Sequence, residues 1–163
     1  MFFYEPMSHF GIRELSRQTH LDTKTTMKYL VHFAHRGVIL KRKPAGSFPY
    51  YEANRLSHIY QYEKSHLLIR KIIESGIIIF LEKELSPKVI VLFGSVKKGT
   101  YHKKSDVDIF IQRRYKRINL LKFEKKIGHK MRLLFEKDMK LLNKGLLENI
   151  YNGEVLSGKL EIL

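Results

Sequence analysis

Residues 92–111 read LFGSVKKGTYHKKSDVDIFI, and this stretch decides the fold. An apolar run ends in Gly94-Ser95, and after ten intervening residues a second apolar run carries Asp106 and Asp108. Two carboxylates so close in an apolar strand repel each other and lose solvation, so their presence needs a cause. Side chains alternate across a strand, which predicts Asp106 and Asp108 on one face with Phe110, and Val107, Ile109 and Ile111 on the other. Carboxylates held in parallel this way form a hard-oxygen site for Mg²⁺ or Mn²⁺, ions that keep waters for exchange with substrate phosphates. Gly94 lacks a Cβ, so backbone N–H groups and the Ser95 hydroxyl have room to meet phosphate oxygens. Lys97, Lys98, Lys103 and Lys104 lie between the two halves and would surround a triphosphate with positive charge.

The flanking sequence reads as mixed α and β from residue 87 to 163. KVIVLF (88–93) is a continuous apolar run, as expected for a strand covered on both faces. VDIFI (107–111) is a second strand and KMRLLF (130–135) a third. Leu120, Leu121, Phe123 and Ile127 give a helical pattern over 118–127 that Gly128 ends, and 138–150 reads as another helix. The tail holds VL between Gly153 and Gly158, and LEIL (160–163) is expected as a short terminal strand.

Gly-Ser, ten residues and Asp-x-Asp between such strands resemble the signature of the polymerase-β-like nucleotidyltransferases, specifically the minimal nucleotidyltransferase (MNT) group. Gly94 and Ser95 match the family's Gly-Ser, Lys98-Gly99 its usual Arg-Gly, and Ser105, Asp106 and Asp108 its Ser-Asp-x-Asp. The resemblance implies an α+β fold in which a small mixed sheet carries helices. It implies that Gly94, Ser95, Lys98 and Ser105 bind the nucleotide and that Asp106 and Asp108 are the catalytic metal ligands. It further implies Mg²⁺ or Mn²⁺, an NTP (ATP foremost) as substrate, and in-line attack at the α-phosphorus with pyrophosphate leaving. MNT proteins often act as antitoxins that transfer AMP to a HEPN ribonuclease, which makes a protein acceptor and a HEPN-type toxin the implied partners. One departure stands out. Active members carry a third carboxylate on a later strand, where KMRLLF has Arg132; Glu136 and Asp138 follow just beyond that strand.

The first third of the chain has a different pattern. Ile12, Leu15 and Thr19 share one helical face and Leu21 closes a turn. Asp22 or Thr23 then caps a second helix, in which Met27, Leu30, Val31 and Ala34 form the expected buried stripe. Gly37 stands where a left-handed C-terminal residue is wanted. VILKRK, a PAGS tip and FPYYEA follow as two strands around a turn. Helix, turn, helix and basic hairpin resemble a winged helix-turn-helix domain, predicted over 1–54. Residues 11–52 are expected to bind DNA, with Thr23, Lys24, Thr25 and Lys28 toward bases and Lys41, Arg42 and Lys43 toward phosphates. Winged domains also serve as protein-interaction modules. Residues 55–86 are a helical connector, either one long helix or two broken near Ser65 or Gly76, with Ile59, Tyr62, His66, Ile69, Ile73, Gly76 and Phe80 as the expected seam. That seam serves either a homodimer or packing on the chain's own domains.

Composition bounds the remaining classes. The 163 residues carry 31 Lys and Arg against 16 Asp and Glu, a formal charge of +15 that favours polyanionic partners. There is no cysteine, so disulfides, thiolate metal sites and cysteine nucleophiles are excluded. MFFYEPMSHF has no basic region leading into a long apolar stretch, and IIIFL (77–81) is too short to cross a bilayer, so a cytoplasmic protein without membrane contact is expected. Two functions fit: a metal-dependent nucleotidyltransferase with a DNA-binding domain, or a DNA-binding transcription regulator whose nucleotide-binding domain is catalytically impaired.

Overall fold

The computed structural model describes residues 1–161. It contains two compact units, one over Met1–Lys64 and one from Ser65 onward, and is α+β with two separate sheets.

In the first unit, β1 (His9–Gly11) leads into α1 (Ile12–Thr19) and α2 (Thr23–His35), followed by β2 (Ile39–Arg42) and β3 (Tyr50–Ala53). The three strands form an antiparallel sheet in the order β1-β3-β2. Phe10, Leu15, Leu30, Val38, Ile39, Tyr51, Ala53 and Tyr60 form its core. Asp22 is the cap of α2: its Oδ1 accepts the Thr25 N–H at 2.9 Å, satisfying one of the free donors of the first turn. The buried face of α2 differs from the expected stripe. Thr26 and Leu30 are buried, whereas Val31 is 58% exposed and Met27 is also exposed. Thr26 can go inside because its hydroxyl donates to Asp22 O at 2.9 Å, so no polar group is left unpaired.

The connector comprises two helices, α3 (His58–Glu74) and α4 (Ile77–Leu85), with the break at Ser75-Gly76, one of the two places expected. Ser75 stabilises it by donating its hydroxyl to Ile72 O at 2.6 Å and accepting the Ile77 N–H at 3.2 Å. The buried face of α3 is also rotated from expectation. Tyr60, Lys64, Ser65, Leu68, Ile69 and Ile72 are buried, while Ile59, Tyr62 and Ile73 are exposed. Of the predicted seam on α3, Ile69 alone is buried; two polar residues occupy the inner face in place of apolar ones.

The second unit continues with β4 (Val89–Phe93), the one-turn α5 (Ser95–Lys98), β5 (Val107–Ile111), α6 (Leu121–Ile127), β6 (Met131–Phe135), a 3-10 turn (Met139–Leu141), α7 (Lys144–Tyr151) and β7 (Glu154–Gly158). The sheet order is β6-β5-β4-β7, with β4 antiparallel to both neighbours and β5 parallel to β6. Both faces are covered. Ile90, Leu92, Val107, Ile109 and Ile111 pack with residues of α3, α4 and α6. Val89, Val91, Phe93 and Phe110 pack with Met139 and Ile150 on the other side. The last strand lies upstream of the expected LEIL segment: Leu160 and Glu161 are outside any strand, and Ile162 and Leu163 lie outside the described residues. Among the described residues no helix is long and apolar enough to cross a membrane.

Candidate active site

The site is built where β4 ends beside β5. Phe93 pairs with Asp108, so the next residue, Gly94, turns away just where the Asp108 carboxylate stands. Gly94 has φ 76° and ψ −149°, a region essentially closed to residues with a Cβ. A Cβ there would lie 2.6 Å from Asp108 Oδ2. Backbone and carboxylate are therefore in direct apposition, and α5 starts immediately after them with Ser95.

Strand alternation places Asp108 on the face of Phe110, opposite Val107, Ile109 and Ile111, as expected. Asp106 differs: it lies one residue before β5 and is exposed, so the strand fixes the direction of Asp108 alone. Asp106 forms part of the wall of an open groove of about 600 Å³, together with Lys103, Lys104, Ser105, Lys125, His129 and Lys130 among others. Ser105 shapes the rim of this groove. Its Oγ accepts the His102 N–H at 2.9 Å, and its carbonyl lies 2.9 Å from His129 Nδ1.

The intervening lysines are not equivalent. Lys97 is ion-paired with Glu154, and Lys98 reaches Asn149 Oδ1 at 3.4 Å. Lys103 and Lys104 are exposed. Parallel pairing sets Arg132 of β6 directly across from Asp108. Its Nε and Nη2 both lie 2.7 Å from Asp108 Oδ1. Glu136 and Asp138 do not supply a third carboxylate. At about 3.3 Å per residue, Glu136 is about 13 Å farther along the strand direction than Arg132. Its Oε1 accepts the Asp138 N–H, and Asp138 in turn caps the 3-10 turn through Lys140 N–H. Among the described residues no three His, Cys, Asp or Glu side chains come together to hold a metal ion.

The family model described as Polymerase beta, Nucleotidyltransferase matches residues 75–161. The chain belongs to the polymerase beta nucleotidyltransferase family. No curated protein and no solved structure matches it. Nucleotidyltransferase domains of this family generally use an NTP and a divalent metal ion. The donor chemistry is of the kind one such ion takes, since Asp106 and Asp108 offer hard carboxylate oxygens, whereas no site of three carboxylates forms among the described residues. Sequence reading missed the ion pair on Asp108 and the groove residues Lys125, His129 and Lys130. Arg132 was visible as a departure, but the bond depends on parallel register, which no local pattern encodes.

The residues expected at DNA lie on α2 and around β2. Lys24, Lys28, Lys41 and Lys43 are exposed. Thr25 is engaged at the cap through its N–H, and Arg42 is ion-paired with Glu52 at 2.8 Å.

Proposed function

We propose that the protein transfers a nucleoside monophosphate, AMP foremost, from an NTP to a protein acceptor, and that its first unit is a winged helix-turn-helix that binds DNA through residues 11–52. The observation that carries the transferase function is the apposition of Gly94 and Asp108, with Ser95 opening the next helical turn. In this function Gly94 and Ser95 take the phosphates by backbone N–H and hydroxyl, Lys98 and Ser105 flank the nucleotide, and Asp106 and Asp108 hold one Mg²⁺ or Mn²⁺ ion. When bound, that ion supplies charge neutralisation at the phosphates. An acceptor hydroxyl forms a bond to the α-phosphorus, the bond to the β-phosphate oxygen breaks, and pyrophosphate leaves. With no third carboxylate beside the pair among the described residues, the hydroxyl proton passes to solvent, and turnover is slow. A HEPN-type ribonuclease is the acceptor we favour, which would make this chain its antitoxin.

The test uses α-labelled ATP or another NTP, Mg²⁺ or Mn²⁺, the intact protein and candidate acceptor proteins. Covalent label on an acceptor is expected with the wild type and is expected to disappear with Asp106→Asn and Asp108→Asn. Equal labelling by those variants contradicts the assignment. One observation favours a second function. The Arg132–Asp108 ion pair engages the carboxylate proposed here for the metal, which favours a DNA-binding regulator whose nucleotide-binding domain no longer transfers.

A further inference from the structure

We propose that Arg132 competes with the divalent ion for Asp108, so that the site binds metal poorly alone and binds metal and nucleotide with mutual reinforcement. This rests on the assignment of Asp106 and Asp108 as metal ligands.

An incoming ion meets an Asp108 carboxylate that is already paired. Oδ2 faces the backbone at Gly94, so closely that even a methyl group has no space there. Oδ1 accepts the Arg132 Nε–H at 2.7 Å, and Nη2 of the same guanidinium lies 2.7 Å from it. A cation that takes Asp108 through Oδ1 must therefore displace the guanidinium or be repelled by it.

The two partners differ in freedom. The Asp108 side chain is 13% exposed, whereas that of Arg132 is 69% exposed. The carboxylate belongs to a covered strand and stays; the arginine is the group able to swing away. Once off Asp108, its planar fork of donors suits a phosphate, which guanidinium groups bind in a bidentate manner. A nucleoside triphosphate at Gly94-Ser95 would offer that partner beside the place Arg132 vacates. Each ligand then removes an obstacle to the other: the nucleotide draws Arg132 from Asp108, and the metal releases Arg132 to the nucleotide. Such coupling is reciprocal by thermodynamic necessity. Arg132 acts here as a positioning residue, whose charge would keep the site from filling with metal before nucleotide arrives.

The experiment measures Mn²⁺ binding to the full chain by electron paramagnetic resonance, with no nucleotide present. The variants are Arg132→Gln, Arg132→Lys, Asp108→Asn and the double variant Arg132→Gln/Asp108→Asn. Arg132→Gln is expected to bind Mn²⁺ about fivefold more tightly than wild type, the upper end of what an ion pair with one exposed partner carries. Arg132→Lys, which keeps the charge, is expected to remain near wild type. In the absence of metal, Arg132→Gln is expected to bind an unhydrolysable ATP analogue several-fold more weakly. If Arg132→Gln binds Mn²⁺ no better than wild type while Asp108→Asn binds less, competition is wrong and the metal ligands stand. If the double variant binds Mn²⁺ as well as Arg132→Gln, or no protein binds it, the metal assignment fails and the competition with it.

Discussion

Gly94 is the residue on which the site turns. Its φ of 76° with ψ of −149° excludes a side chain on conformational grounds, and Asp108 Oδ2 excludes one sterically. Gly94→Ala is therefore expected to lower stability by about 1–3 kcal/mol from backbone strain alone, with further loss as the carboxylate is pushed aside. Thermal denaturation and nucleotide binding should both register it, and an alanine variant with wild-type melting and binding would show that the turn does not need glycine. This much was legible in the sequence, because a glycine that ends an apolar run marks a sharp turn or a close neighbour of the backbone. Arg132 was legible only as an oddity. Whether an arginine across from an aspartate bonds it, misses it or faces the other side depends on strand register, which is set by pairing between residues far apart in the chain.

At the scale of elements, continuous apolar runs identified β4 and β5 because both their faces are covered, and the cap candidates Asp22 and Thr23 marked the start of α2, where Asp22 is the cap. Helix faces were less legible. Pattern reading assumes that buried means apolar, and α2 buries Thr26 while α3 buries Lys64 and Ser65. The Thr26 hydroxyl is satisfied by Asp22 O, and the Ser65 hydroxyl donates to Lys97 O at 3.0 Å. Such bonds let polar groups take inner positions and turn apolar ones such as Val31 and Ile73 outward. The same limit applied to Asp106. Its place just outside β5 follows from where pairing with β6 begins, since Val107 is the first residue of that ladder.

For the whole molecule, the charge of +15 acts through exposed cations, not through those already paired. Lys24, Lys28, Lys41 and Lys43 are exposed, whereas Arg42 is tied to Glu52. Replacing Lys24, Lys28 and Lys41 is therefore expected to weaken DNA binding and flatten its salt dependence, by about one unit of slope for each phosphate contact removed. Arg42→Gln should do less. Fluorescence anisotropy at several salt concentrations measures this, and an unchanged slope in the triple variant would remove DNA from the account of the first unit. The central claim, that Gly94, Ser95, Asp106 and Asp108 form one nucleotide and metal site, is tested most directly by amide chemical-shift mapping of the 163-residue chain titrated with an unhydrolysable ATP analogue and Mg²⁺. The account predicts that the largest shifts fall on residues 94–99 and 105–108 and vanish in Asp108→Asn. Shifts confined to other segments, or unchanged by that substitution, would contradict it.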